Sequence, residues 1–595
     1  LRDLAVGSIV VAEGAGADSA IGWRPSAVTA FVGRTLRGPV HDPVRIRSFN
    51  EFHKIFGGLW QPSTLSYAVE QYFENGGREA VIVRVVNGGA PTTITLPCGG
   101  DSLTLAALSP GSREMLRASV DYDNISELET DRFNLVVQRV GARGTERIED
   151  QEIFRRLSVV AGTARYVTTA LQESGLVRVC GAVPAVRPDR TFRVGSRHPI
   201  GYVDSNPDGD DGAPLTDYDV IGSREAGTGL FALAAVEDLH FVCVPPLARD
   251  RDIGAGTLVV AASLCRQRRA LLIVDPPTAW ESCDDAVRGL RNLGFRSENA
   301  LMCFPRIVAF DRLRGRRETF ANCGAVAGTL ARLDEQRAPW QPGLDEPLLL
   351  RLGTRPQRVL EESERQRLAA HGINPLQAVR TAQPRPLQLK TLAGGTAGSS
   401  ETALLTTQRR RLLLMNSIDV GTRWALFAVS DRIVWRKLES QVQGFLQPLA
   451  EQGLLGPAGE PGAFQVVCDE RLNGPEEVAA GRVNLLVSLR TSRPGIYWSF
   501  VITHAREGGA IRPVCTTVLP SGARMSLAPE EHGASEDDSQ RRRVAAQALV
   551  SYYQEPRPPS LVVRNSAPKA APARGLDAES ISRIHGELGS GGQRF

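Results

Sequence analysis

Residues 48–86 read SFNEFHKIFGGLWQPSTLSYAVEQYFENGGREAVIVRVV, and this stretch decides how the rest of the chain is understood. Ser48 stands as an N-cap before Phe49, Phe52 and Phe56, three aromatic residues at helical spacing. Gly57 and Gly58 make a tight turn. Leu65, Ala68, Val69, Tyr72 and Phe73 then form the apolar stripe of a second helix, which Asn75, Gly76 and Gly77 end with residues that tolerate a left-handed backbone. From 80 to 86 the chain is β-branched almost throughout. Arg84 is its only polar residue, as suits a strand covered on both faces. Nothing in the stretch is arranged to do chemistry; it is scaffold.

The whole chain has 595 residues, too many for one core, and predicts three or four domains. Its 42% apolar and 23% charged residues are ordinary for a globular protein, and a net charge of +4 gives no bulk argument for nucleic acid. No apolar run approaches the roughly 18–20 residues that span a bilayer. The first residues, LRDLAVGSIVVAEGAG, lack the pattern of a signal peptide, so folding in a cytoplasm is expected. Nine cysteines (98, 180, 243, 265, 283, 303, 323, 468 and 515) are scattered singly with no C-x-x-C pair. Buried free thiols are expected, not a disulfide framework or a zinc site.

Along the chain the texture changes several times. Residues 1–24 read as an arm: Ser8, Ile9, Val10, Val11, Ala12 and Glu13 have strand composition, and 14–22 form a Gly/Ala-rich tether. Residues 25–90 open an α/β core with a strand at AVTAFVG and the stretch quoted above. Residues 91–205 carry short strands (TTITLP, LRASVDY, FNLVVQRV, ARYVTTAL, LVRV) and predict an inserted β-rich domain. Residues 206–345 alternate helix with three apolar strands (HFVCVPP, ALLIVDPP, NALMCFPRIV), an open α/β sheet. Residues 341–400, which cross the boundary at 345/346, run as an extended connection, and 346–507 are the C-terminal part of the core. QRRRLLLMNSIDVGTRWALF then reads as a helix leading into a strand. A long amphipathic helix follows, with Ile433, Val434, Leu438, Val442, Phe445 and Leu446 as its apolar stripe, and then the strands FQVVCDE, VNLLVSLR and IYWSFVITH. Residues 508–595 are a C-terminal extension with a capped helix over 535–553. The fold class is α/β, in the sense of an α+β multidomain chain.

Groups that could carry chemistry fail on spacing. Asp204, Asn206, Asp208 and Asp210 alternate as in a calcium loop, but Leu215 stands at the twelfth position, so an acidic turn-forming loop is expected. The glycine run 393–402 lacks the lysine of a phosphate loop. Asp275 ends an apolar strand, where α/β enzymes place catalytic groups, yet two prolines follow and no partner base is evident. The eight histidines are dispersed, and no serine sits in a G-x-S-x-G elbow. No catalytic, cofactor-binding or metal residue is assigned. An α/β nucleotide-binding enzyme built on 218–340 is the alternative from another class.

Several ordered pieces carry a resemblance. They are 30–49 (AFVGRTLRGPVHDPVRIRSF) with the stretch 48–86, 105–120 (LAALSPGSREMLRASV), 208–222 (DGDDGAPLTDYDVIG), 271–280 (LLIVDPPTAW), 297–307 (SENALMCFPRI), 323–341 (CGAVAGTLARLDEQRAPWQ), GINP at 372–375, WRKLESQVQGFL and FQVVCDERLNGPEEVAAGRVNLLVSL. Together these resemble the contractile tail sheath proteins of myophages, R-type pyocins and extracellular contractile injection systems, over roughly residues 5–505. Two departures stand out: LQLKTLAGG (387–395) replaces the family's Trp-Gly-Ala-Arg-Thr-Leu run, and the chain continues some ninety residues past IYWSFVITH.

The resemblance implies a split α/β sheath core formed by 25–90 and 346–507, and a non-enzymatic homo-oligomer of stacked rings, hexameric as in the family. It implies an inner tube protein and baseplate and cap or terminator proteins as partners, with no cofactor, no nucleic acid and no direct membrane insertion. The setting would be a phage virion tail or a released extracellular tail-like particle. A sheath-derived baseplate or cap component is a further alternative. By the family's strand exchange, residues 8–13 would reach into a neighbour, with Ile496, Tyr497, Trp498, Ser499, Phe500, Val501 and Ile502 as the receiving or exchanged C-terminal strand. Charged residues that set orientation yet release easily suit a sliding contact. The candidates for touching the tube are Arg432, Arg436 and Lys437, with Arg409, Arg410 and Arg411.

Overall fold

The computed structural model describes residues 21–22, 28–141, 147–191, 201–336, 348–351, 353–377, 387–394, 403–455, 462–490, 497–505 and 508–514. The arm strand 8–13 and the expected helix 535–553 lie outside the described residues.

The stretch that opens the argument folds as its pattern requires. Ser48 Oγ accepts from Glu51 N at the start of helix Phe49–Phe56, and Phe49, Phe52 and Phe56 stack at 5.5 and 5.4 Å. Gly57 takes φ +88°, and a Cβ there would come within 2.8 Å of Leu36, so the turn needs glycine. Helix Thr64–Glu74 is capped by Ser63 and buries a face that includes Leu65, Ala68, Val69 and Tyr72. Strand Ala80–Arg84 is buried at every position.

Seven strands form the central sheet, in the order Asn374–Pro375, Ala300–Phe304, Leu271–Val274, Phe241–Cys243, Thr29–Gly33, Ala80–Arg84 and Val44–Ile46. All neighbours are parallel except the last pair. Residues 25–90 therefore share one sheet with the segment expected as a separate middle domain at 206–345, and among the described residues of 346–507 only Asn374–Pro375 joins that sheet as a strand. The physical reason is that Thr29–Gly33, apolar on both faces, needs a parallel neighbour on each edge, and Phe241–Cys243 supplies the second. One apolar layer packs helices Ala255–Arg268, Cys283–Leu293 and Glu362–Ala370 on one face of the sheet. The other packs Phe49–Phe56, Thr64–Glu74 and Cys323–Gln336.

Residues 346–507 divide accordingly. Asn374–Pro375 edges the central sheet, and helix Glu362–Ala370 forms inside the stretch expected to be an extended connection. Helices Leu405–Thr422 and Arg432–Glu451 instead pack on a second, four-stranded antiparallel sheet in the order Phe464–Val467, Val483–Arg490, Tyr497–Ala505, Gly508–Val514. Its core includes Ile418, Trp435, Leu438, Val442, Leu446, Leu485 and Phe500. The expected boundary at 507/508 falls inside a β-hairpin. The strand expected after helix Leu405–Thr422 is a 3-10 turn over Arg423–Phe427. Ile433, placed in the buried stripe by its spacing, is 77% exposed, because it sits in the first turn, beyond the sheet that covers Leu438 and Val442.

Residues 93–204 form a three-stranded and a four-stranded sheet around one core containing Leu105, Val120, Phe133 and Leu135. ARYVTTAL, expected as a strand, contains the short helix Val167–Ala170. The connections to the central sheet run side by side: Ala90 and Asp210 exchange backbone hydrogen bonds of 3.1 and 2.8 Å, and Ala213 N donates to Asn87 O at 2.9 Å. Among the described residues every cysteine is a free thiol, buried except Cys180.

Candidate functional site

A doubly wound sheet binds ligands outside the carboxyl ends of its strands, where the strand order reverses. Here that place lies between Thr29–Gly33 and Phe241–Cys243, and the chain's own residues fill it. Ser63 Oγ donates to Arg34 O and Thr64 Oγ1 donates to Pro246 O, so the start of helix Thr64–Glu74 lies across both strand ends. The Arg34 guanidinium stacks on Trp60 at 5.0 Å and donates to Asp211 O and Gly212 O at 2.8 and 2.9 Å. A Cβ on Gly33 would lie 3.2 Å from Leu65. Asp275 is likewise structural: its Oδ1 accepts from Asn322 N and Cys323 N, both at 2.7 Å, capping helix Cys323–Gln336 from another strand, and burial pushes its pKa up.

The acidic loop is a staple. Asp208 accepts from Thr93 N at 2.9 Å and Asp211 from Ser112 N at 2.8 Å, tying the returning connection to the β-rich domain. Among the described residues no group of His, Cys, Asp or Glu is placed to hold a metal ion, and no helix is long and apolar enough to cross a membrane. A cleft of about 810 Å3 lies beside helix Thr64–Glu74. Its charges are engaged in holding the fold: Arg312 bridges Glu70 and Glu74, while Arg332 and Arg351 donate to the carbonyls of Asn75 and Glu74 at the helix end. Burial, with repulsion from Glu74, raises Glu70 to about 7.

The six cations expected at a tube surface separate into two groups. Arg409 is buried, pairs with Asp334 and lies 5.3 Å over Phe241. Arg410 donates to Leu454 O at 2.8 Å, and Arg411 lies 4.9 Å over Trp498. These three join parts of the chain and are not a free face. The helix packs on two modules at once, which its local pattern could not show. Arg432, Arg436 and Lys437 are exposed; Arg432 pairs with Glu470, and Lys437 Nζ lies 4.6 Å over Trp424. Beside them stand exposed apolar residues that sequence reasoning missed: Phe427 at 93%, with Val429 and Ile433. The signal was the apolar run 424–429 (WALFAV), whose composition reads as a strand and therefore as covered.

Strand Tyr497–Ala505 has neighbours on both sides within its own chain, Val483–Arg490 and Gly508–Val514. Residues 499–502 thus have a neighbour on each side, Tyr497 and Trp498 pair with Val483–Arg490, and Ile496 itself lies outside the described residues. The sheet's outer strands are Phe464–Val467 and Gly508–Val514. The root of the arm reaches the same module. Ile21 is buried against helix Leu405–Thr422, and a Cβ on Gly421 would sit 2.7 Å from Ile21 Cγ1. Gly421→Val is therefore expected to unseat Ile21 and destabilise the module by about 1–3 kcal/mol, read from the urea midpoint. An unchanged midpoint would show that Ile21 is not held there.

The module also carries a titratable core group. His504 is fully buried, its Nε2 lies 2.8 Å from Thr422 Oγ1, and its Nδ1 has no hydrogen-bond partner. Burial, opposed by Asp419, pushes its pKa down to about 4. The unfolded chain then takes up a proton first as pH falls. The contribution is complete above about pH 6.5 and lost on acidification to about pH 4, some 3 kcal/mol in all. Denaturation midpoints of the unaltered chain and His504→Gln between pH 7 and 4 check this; parallel pH profiles would refute it.

No family model matches the sequence, and no curated protein matches it. Among solved structures, the chain is similar to the sheath tail protein Lin1278 from Listeria innocua, at 13% identity and a TM-score of 0.54, covering 82% of this chain and 96% of that one. Also matched are the sheath tail protein DSY3957 from Desulfitobacterium hafniense (12% identity, 83% and 97% covered, TM-score 0.46) and a PVC sheath complex of an extracellular contractile injection system in its contracted state (13%, 83% and 96%, 0.46). The likeness to the Listeria protein shows that this chain has the fold of a sheath tail protein.

Proposed function

We propose that the chain is the structural subunit of a contractile tail sheath, which polymerises as stacked rings around an inner tube and shortens to drive that tube through a target envelope. The observation that carries this reading is the shared fold, which takes in 96% of the Listeria sheath tail protein. The nucleotide-binding alternative loses its site, since the crevice it needs is occupied by Ser63, Thr64, Trp60 and Arg34. The partners are further copies in rings, hexameric as in the resembled family, together with a tube protein and baseplate and cap proteins. The particle is a virion tail or a released tail-like assembly put together in the cytoplasm. Strand addition fits the geometry: residues 8–13 would pair with an outer strand, Phe464–Val467 or Gly508–Val514, of a neighbour, through main-chain hydrogen bonds that survive rigid-body rotation. Arg432, Arg436 and Lys437 would face the tube.

Negative-stain microscopy of the purified chain tests the reading. Long tubes or stacked rings are expected with and without nucleotide, and deletion of residues 1–14 should abolish them. A stable monomer that binds a nucleotide would sink it.

A further inference from the structure

The hairpin formed by Ile307–Asp311 and Arg316–Phe320, with Arg355–Pro356 on its other side, makes a small sheet beside the central one. Its inner positions Ile307, Ala309 and Phe320 are buried. The opposite face follows from register: Phe310 pairs with Arg317, and Val308 pairs with both Thr319 and Arg355. Phe310 is 54% exposed and Leu313, at the tip, 49%.

Charge on this finger is unbalanced. Arg314 and Arg316 share the one carboxylate of Glu318, at 3.3 and 2.6 Å, and Arg249 approaches the same residue at 3.9 Å. Asp311 is taken by Arg249, and Arg312 by Glu70 and Glu74. Arg317 and Arg355, both exposed, have no acidic partner among the described residues. An exposed aromatic between unpaired arginines is the composition of an interface anchor, and its surplus charge calls for an acidic occupant.

The chain itself carries one. Residues 525–538 read MSLAPEEHGASEDD: apolar Met525 and Leu527, then Glu530, Glu531, Glu536, Asp537 and Asp538. Fifteen residues separate Glu530 from Val514, the last residue of the outer strand, a reach of roughly 50 Å when extended. The pairing of apolar with acidic residues matches Phe310 and Leu313 set among arginines. We propose that the outer face of the 307–320 hairpin is the docking surface of the acidic segment 530–538, with Met525 and Leu527 against its exposed apolar residues.

Self-competition tests this in the full chain. A fluorescent peptide of residues 523–540 is titrated at low salt into the unaltered chain and into a variant with the five carboxylates amidated in sequence (Glu530→Gln, Glu531→Gln, Glu536→Gln, Asp537→Asn, Asp538→Asn). The variant should bind the peptide about tenfold or more tightly than the unaltered chain, because its own segment no longer occupies the face. Adding Arg317→Ser and Arg355→Ser, both exposed, should remove that binding while leaving the urea midpoint unchanged. Retained binding in those serine variants would overturn the proposal. So would equal affinity for a scrambled peptide of the same composition, or binding of a single-stranded oligonucleotide where the peptide fails. A dilution series of the unaltered chain separates docking within one chain, independent of concentration, from docking onto a second copy.

Discussion

Replacing Arg409 with alanine should lower the stability of the chain by about 3–5 kcal/mol, because it breaks an enclosed ion pair by removing one member. Arg409 and Asp334 have side chains only 8% and 4% exposed. They join helix Leu405–Thr422 of the C-terminal module to helix Cys323–Gln336 of the central sheet. Truncation also removes the guanidinium from the Phe241 ring. The expected result is a lower urea midpoint and faster proteolysis between the central sheet and the module. The double variant Arg409→Met, Asp334→Leu should recover most of the loss, since a buried pair replaced by apolar groups of similar volume is often neutral. A midpoint within about 1 kcal/mol of the unaltered chain for the single variant would show that the pair does not join the modules.

Arg84→Ala should have an effect of similar size in a different place. Arg84 is the polar residue in an otherwise apolar strand and is 1% exposed. Its two terminal nitrogens donate to Gly38 O at 2.8 Å and Pro110 O at 2.6 Å, fastening the entry of the β-rich domain to the central sheet. Burial lowers its pKa to about 10, with Glu114 and Asp211 opposing the shift, so it stays charged at neutral pH. Alanine leaves a cavity and two carbonyls without donors, together about 3–5 kcal/mol. Arg84→Lys keeps the charge but lacks the fork that reaches both carbonyls, and should fall between. The loss should appear in thermal unfolding and in faster cleavage around 87–90 and 208–213. An unchanged melting temperature for Arg84→Ala would refute the latch.

These two arginines show how unevenly the chain discloses itself. Arg84 was conspicuous in sequence because a lone charge in an apolar strand must be satisfied by something. Arg409 looked like one of three exposed cations on a helix, since the module that encloses it comes from residues far away in sequence. The same distinction separates Leu438 and Val442, buried as their spacing required, from Ile433, which keeps the pattern but lies beyond the sheet that would cover it.

What the sequence determined by itself was local. The Ser48 cap, the glycine turns, the aromatic stripes and the apolar strands follow from interactions within a few residues, and no distant partner is needed to specify them. Only the tertiary structure decided which strands stand side by side. It placed 29–33 and 80–84 with 241–304, gave the C-terminal module its own sheet, added Gly508–Val514 to it, and laid helix Thr64–Glu74 across the crevice where a ligand would enter. The physical reason is that an apolar strand accepts any apolar neighbour by composition. The choice among neighbours is made by crossover connections and by the burial of both sheet faces at once, which no local pattern records.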